Sequence, residues 1–119
     1  MPKFMYIFRG GGYATSDVAS PTEVQKHLAK WNAWSNALIE AGRLAAAQPL
    51  AHPATGKTIR GRDRVVTDGP YAESKDLVSG TLVVEAASLE EAAVLARDCP
   101  IFEFDGSVEV RPALVTPDR

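Results

Sequence analysis

Two helix starts are written into this chain, and they fix what can lie around them. Ser20-Pro21-Thr22-Glu23 combines an N-cap serine, a proline at the first helical position and a glutamate three residues after the cap. Val24, Leu28, Trp31, Trp34 and Leu38 then recur at helical spacing, and Gly42 stands where a left-handed residue closes a helix. The pattern predicts a first helix of about five turns. Ser88 and Glu91 form a second capping box ahead of Leu89, Ala92, Ala93, Leu95 and Ala96, and Pro100 stops this shorter helix near Asp98.

Strand patterns surround both helices. Lys3 to Arg9 is rich in aromatic and β-branched residues and runs into Gly10-Gly11-Gly12, which predicts an N-terminal strand ended by a flexible loop. Between Arg43 and Asp68, Pro49 and Pro53 forbid a continuous helix and Gly56 and Gly61 mark turns. That segment reads as a short strand, a loop, and a hairpin ending at Val65-Val66-Thr67. Asp68-Gly69-Pro70 is a turn signature in which Gly69 suits a positive φ. Gly80 to Glu85 is a short apolar run expected as a central strand, and Ser107 to Arg111 alternates as a half-buried strand with its valines inward. The order predicts an α+β fold, the ferredoxin-like split β-α-β, with helices on one face of an antiparallel sheet. Two helices cannot cover both faces, so a second copy of the same sheet is the simplest cover and a homodimer is expected. Residues 1–115 read as a single domain and 116–119 as a disordered tail.

Composition narrows the function. The 119 residues carry 13 basic and 15 acidic side chains, a net charge of −2, which argues against direct binding of nucleic acid. One cysteine, Cys99, excludes an internal disulfide, and two histidines without paired spacing argue against a metal site; no cofactor is implied. No stretch approaches the roughly 20 apolar residues of a membrane span, and the first nine residues alternate as a strand rather than forming a signal peptide. The expected location is the cytoplasm, with no membrane association. Gly56-Lys57-Thr58 ends a relaxed phosphate-loop pattern, but prolines precede it and no helix follows, so nucleotide hydrolysis is rejected.

The segment Val66-Thr67-Asp68-Gly69-Pro70-Tyr71-Ala72-Glu73-Ser74-Lys75-Asp76 closely resembles the Asp-Gly-Pro-Phe signature of the YCII-related, or DGPF-domain, proteins, with tyrosine in place of phenylalanine. Further similarity lies in Gly80, in Glu85 to Ala92, in Cys99-Pro100-Ile101 and in Val108 to Pro112, so the resemblance spans Lys3 to Pro112. It implies a dimeric α+β barrel of two ferredoxin-like subunits. Some members are encoded near extracytoplasmic-function sigma factors, and a relative in the wider group resembles a dehalogenase acting on a chlorinated lactone. The resemblance also implies a catalytic histidine on the first helix, which maps to His27. Where the wider group often has an aspartate before the proline after the second helix, this chain has Cys99, so Asp68 or Glu73 is expected to supply the carboxylate.

His27, Trp31 and Trp34 stand at i, i+4 and i+7 on one helix face, a pattern that fits either a partly desolvated pocket or plain core anchors. Tyr71, Glu73 and Lys75 alternate after the turn and would present a phenol, a carboxylate and an ammonium to one side, either to a ligand or to solvent. Lys57, Arg60, Arg62 and Arg64 read as a solvated cationic hairpin. Cys99 follows a helix C-terminus, where the dipole disfavours a thiolate nucleophile. The leading expectation is a small-molecule-binding homodimer that transfers a proton or eliminates a group from a small polar or anionic substrate. His27, Asp68 and Glu73 would be catalytic; Trp31, Trp34, Tyr71, Lys75 and Arg111 would bind substrate. The alternative is a non-catalytic ligand-sensing or accessory module associated with a sigma factor.

Overall fold

The computed structural model describes residues 1–11, 20–51, 53–69 and 77–115. Six strands and two helices follow in the order β1 (Lys3–Arg9), α1 (Pro21–Glu40), β2 (Leu44–Pro49), β3 (Lys57–Arg60), β4 (Val65–Asp68), β5 (Val78–Glu85), α2 (Leu89–Ala96) and β6 (Ser107–Pro112). Both capping boxes close as read: the Ser20 hydroxyl accepts from the Glu23 N–H at 3.2 Å and the Ser88 hydroxyl from the Glu91 N–H at 3.1 Å. Helix α1 ends at the αR cap Ala41, and Gly42 follows at φ +72°.

The main sheet is antiparallel in the order β2-β5-β1-β6, which is the ferredoxin-like arrangement, while β3 and β4 form a separate two-stranded ribbon between β2 and β5 in sequence. Pro49 sits at the end of an edge strand, where its missing N–H removes no ladder bond. Strand period separates the faces. Phe4, Tyr6 and Phe8 of β1 and Leu82 and Val84 of β5 are buried toward the helices, with Val108 and Val110 of β6 packed against them. On the opposite face lie Met5, Ile7, Thr81 and Val83, with Arg9 paired to Glu109 at 2.6 Å.

The expected loose glycine loop is tightly packed at its described residues. Gly10 and Gly11 take φ +68° and +67°, the Gly10 N–H bonds Leu77 O at 3.1 Å, and Gly11 is buried. A Cβ on Gly106 would stand 2.5 Å from Ile101 Cγ1 and 2.8 Å from the Gly11 nitrogen, so two backbones meet there and leave room for hydrogen only. Gly69 has the expected positive φ, +74°. Its N–H bonds Gly56 O at 2.7 Å and its carbonyl accepts from the Thr58 hydroxyl at 2.7 Å, so the Asp-Gly turn staples the base of the ribbon. Gly106→Ala should therefore cost about 1–3 kcal/mol through overpacking. Gly69→Ala should cost about 1 kcal/mol through backbone strain alone. Denaturant midpoints of the two variants check the difference.

Tyr6 is fully buried and its hydroxyl donates to Ala92 O at 2.5 Å. Burial pushes its pKa up to about 12, reinforced by the nearby Cys99 thiol and opposed by Arg43. Cys99 is likewise pushed up to about 12 by burial, against a smaller lowering by the Ile101 backbone N–H, and is no thiolate nucleophile. Both groups keep their protons in the folded state to higher pH than in the unfolded chain, where thiol and phenol ionise near 8.5 and 10. The unfolded state thus binds fewer protons above that range, and stability falls as pH rises. The denaturation midpoint should hold below roughly pH 8.5 and then decline toward pH 12; Cys99→Ala should remove the earlier part of the decline.

Candidate functional site

Helix α1 lays its inner face on β1, and aromatic rings make the contact. Trp34 stacks on Tyr6 with centroids 6.1 Å apart, Trp31 meets Phe8 edge-on at 5.2 Å, and the two indoles meet edge-on at 5.7 Å. Trp34 is buried and its indole N–H reaches Leu95 O at 3.2 Å, tying α1 to α2. Trp34 is thus a core anchor. Trp31 is only partly buried.

One turn before Trp31, His27 is 1% exposed. Its Nε2 lies 2.8 Å from the Trp31 indole nitrogen, which can only donate. Nε2 therefore accepts, and neutral His27 carries its proton on Nδ1. Nδ1 faces Glu103 Oε2 at 3.4 Å, while Glu103 Oε1 takes Lys30 Nζ at 2.7 Å. The Phe104 ring stands edge-on to the imidazole at 4.6 Å. Glu103 and Phe104 come from a 3-10 turn, Pro100–Phe104, that follows α2 and packs on α1. The Glu103 carboxyl is held below the usual range, first by its hydrogen bond to Lys30 and, with a smaller effect, by its hydrogen bond to His27.

Two other expected site residues, Asp68 and Arg111, lie away from His27 within the same chain. Asp68 lies at the end of β4 with its side chain 86% exposed and pairs with Lys57 at 2.7 Å on the ribbon. Arg111 is 68% exposed, opposite Met5 on the sheet face turned away from the helices, with Nε 3.6 Å from Glu109 Oε2. The sheet separates it from His27 of the same chain. Tyr71, Glu73 and Lys75 lie outside the described residues, as does the tail 116–119. Among the described residues the carboxylate that faces His27 is that of Glu103, which sequence reasoning missed. The signal for its turn was Pro100, read as a helix stop when it is also a favourable first residue of a short helix.

Among the described residues no three histidine, cysteine, aspartate or glutamate side chains gather as a metal site, and no helix is long and apolar enough to cross a membrane. The arrangement can hold a neutral imidazole in one tautomer and stabilise its protonated form through Glu103, with the exposed Lys30 ammonium on the far oxygen of that carboxylate. Lys30→Met should let the Glu103 carboxyl titrate closer to its ordinary value. In the native chain, whatever stability the depressed group gives is present above the ordinary glutamate range and lost as pH falls through its lowered value. Carboxyl-detected NMR titration of both proteins checks the shift.

Three comparisons bear on identity. A solved structure, the 5-chloro-2-hydroxyhydroquinone dehydrochlorinase of Burkholderia phenoliruptrix in complex with 2,5-dihydroxybenzoquinone, matches with a TM-score of 0.52 at 15% identity. The match covers 98% of this chain and 97% of that one, and at that identity it speaks for the shared α+β fold. An uncharacterised protein of Rhizobium meliloti (strain 1021) is 34% identical over 102 residues, 82% of each chain. The family model of the YCII-related domain matches residues 11–115, and with that span and that relative the chain belongs to the YCII-related family.

Proposed function

We propose that the protein is a homodimeric small-molecule enzyme that moves a proton on, or eliminates a group from, a small polar or anionic substrate, with His27 as its acid and base. The observation that carries this reading is the pair of contacts on His27: Nδ1 faces Glu103, and Nε2 is capped by the indole N–H of Trp31, a residue only partly buried. A substrate that takes the place of the Trp31 N–H meets a basic nitrogen already oriented by a carboxylate. Nε2 then accepts the substrate proton, the C–H electron pair forms the new double bond, and the leaving group departs with its own pair. The imidazolium is stabilised by Glu103, which Lys30 keeps ionised, and it returns the proton to the leaving group or to water. Hydroxylated quinones are the first probes, because the dehydrochlorinase that shares this fold is complexed with one.

A second reading, a non-catalytic ligand sensor that could act with a sigma factor, is favoured by the same histidine, since its 1% exposure and a polar partner at each ring nitrogen also describe a satisfied core residue. Ligand-observed NMR against a panel of small polar metabolites and hydroxyquinones, followed by turnover assays on each hit, separates the two. Turnover that His27→Asn removes and Glu103→Gln slows by about 10- to 100-fold is the expected result. Binding without turnover establishes the sensor.

A further inference from the structure

Among the described residues the ribbon of β3 and β4 shares no ladder with the main sheet, its strands pairing through Lys57↔Asp68, Thr58↔Thr67, Ile59↔Val66 and Arg60↔Val65. A two-stranded ribbon without a covered face is marginal in water. Yet Ile59 is 66%, Val65 57% and Val66 54% exposed, and Ile59 and Val66 stand directly opposite each other as a cross-strand apolar pair. The chain is also extended for its length: its radius of gyration is 15.9 Å, where a compact domain of 119 residues has about 13.5 Å. Charge divides along the same line. Residues 56–69 hold four cations (Lys57, Arg60, Arg62 and Arg64) against Asp63 and Asp68, a net +2, which leaves nine basic and thirteen acidic residues, −4, on the remainder.

From these observations we infer that the ribbon is a clasp that packs its Ile59 and Val66 face on the body of a second copy of this chain. A basic apolar arm on an acidic body is self-complementary, so the same pair of surfaces is used twice in a two-fold dimer. The inference rests on the dimer reading and adds to it an interface separate from the outer sheet face of Met5, Ile7 and Val83. The Asp68-Gly69 staple then has a function beyond its own turn, because it fixes the ribbon's base and hence its direction.

Sedimentation of the full chain and of Ile59→Glu/Val66→Glu, with amide hydrogen exchange over a dilution series of the native protein, tests it. The expected result is a dimer whose dissociation constant rises at least about tenfold in the double variant. Ribbon amides should exchange slowly in the dimer and quickly on dilution, while β1 and β5 amides stay protected in both proteins and report an intact fold. An unchanged dissociation constant, or ribbon amides that are slow at every dilution, overturns the clasp and leaves the dimer standing. A native chain that is monomeric throughout overturns both.

Discussion

A phenol with no exposed surface must find a hydrogen-bond partner inside the protein, and for Tyr6 that partner is the Ala92 carbonyl on α2. The same ring stacks on Trp34 of α1 and meets Phe8 of its own strand edge-on. One residue of β1 is therefore bonded to one helix and packed on the other, and the positions of both helices on the sheet depend on it. Phe8 extends the contact to Trp31. Once Trp31 and Trp34 are seated on β1, the rotation of α1 about its axis is fixed, and His27, one turn before Trp31, has to face the same layer. The orientation of the imidazole follows from apolar packing before any polar contact is made.

Much of this was legible. Lys3 to Arg9 became β1, both capping boxes opened helices, and the alternation of Val108 and Val110 placed them inward, because period and caps are local properties of sequence. The site was legible only in part. His27 and Trp31 share a helix face, and helical spacing alone predicts that they meet. Glu103 reaches them from 76 residues away through a 3-10 turn that carries no periodic signal. Asp68 drew attention through its motif; within its own chain it ends β4 and pairs with Lys57, and the next residue, Gly69, staples the base of the ribbon. Gly11 misled in the other direction: a glycine read as freedom was required by close approach to Ile101 and Gly106, and that approach is made by residues about ninety positions on.

The position of the carboxylate follows from what the core tolerates. The wider group that the sequence resembles often has an aspartate before the proline after the second helix, where this chain has Cys99, 4% exposed and beside Tyr6. An ionised carboxylate there would lose its hydration next to a buried phenol, whereas the thiol, with its pKa pushed up to about 12, stays neutral. Four residues later, at Glu103, the side chain is 40% exposed, and it meets both Lys30 and Nδ1 of His27. A carboxylate at that rim keeps its charge because solvent and an ammonium share it, and it still fixes the imidazole tautomer. The charge that orients His27 is thereby kept out of the core, and among the described residues the aromatic layer that positions the ring buries no carboxylate, lysine or arginine.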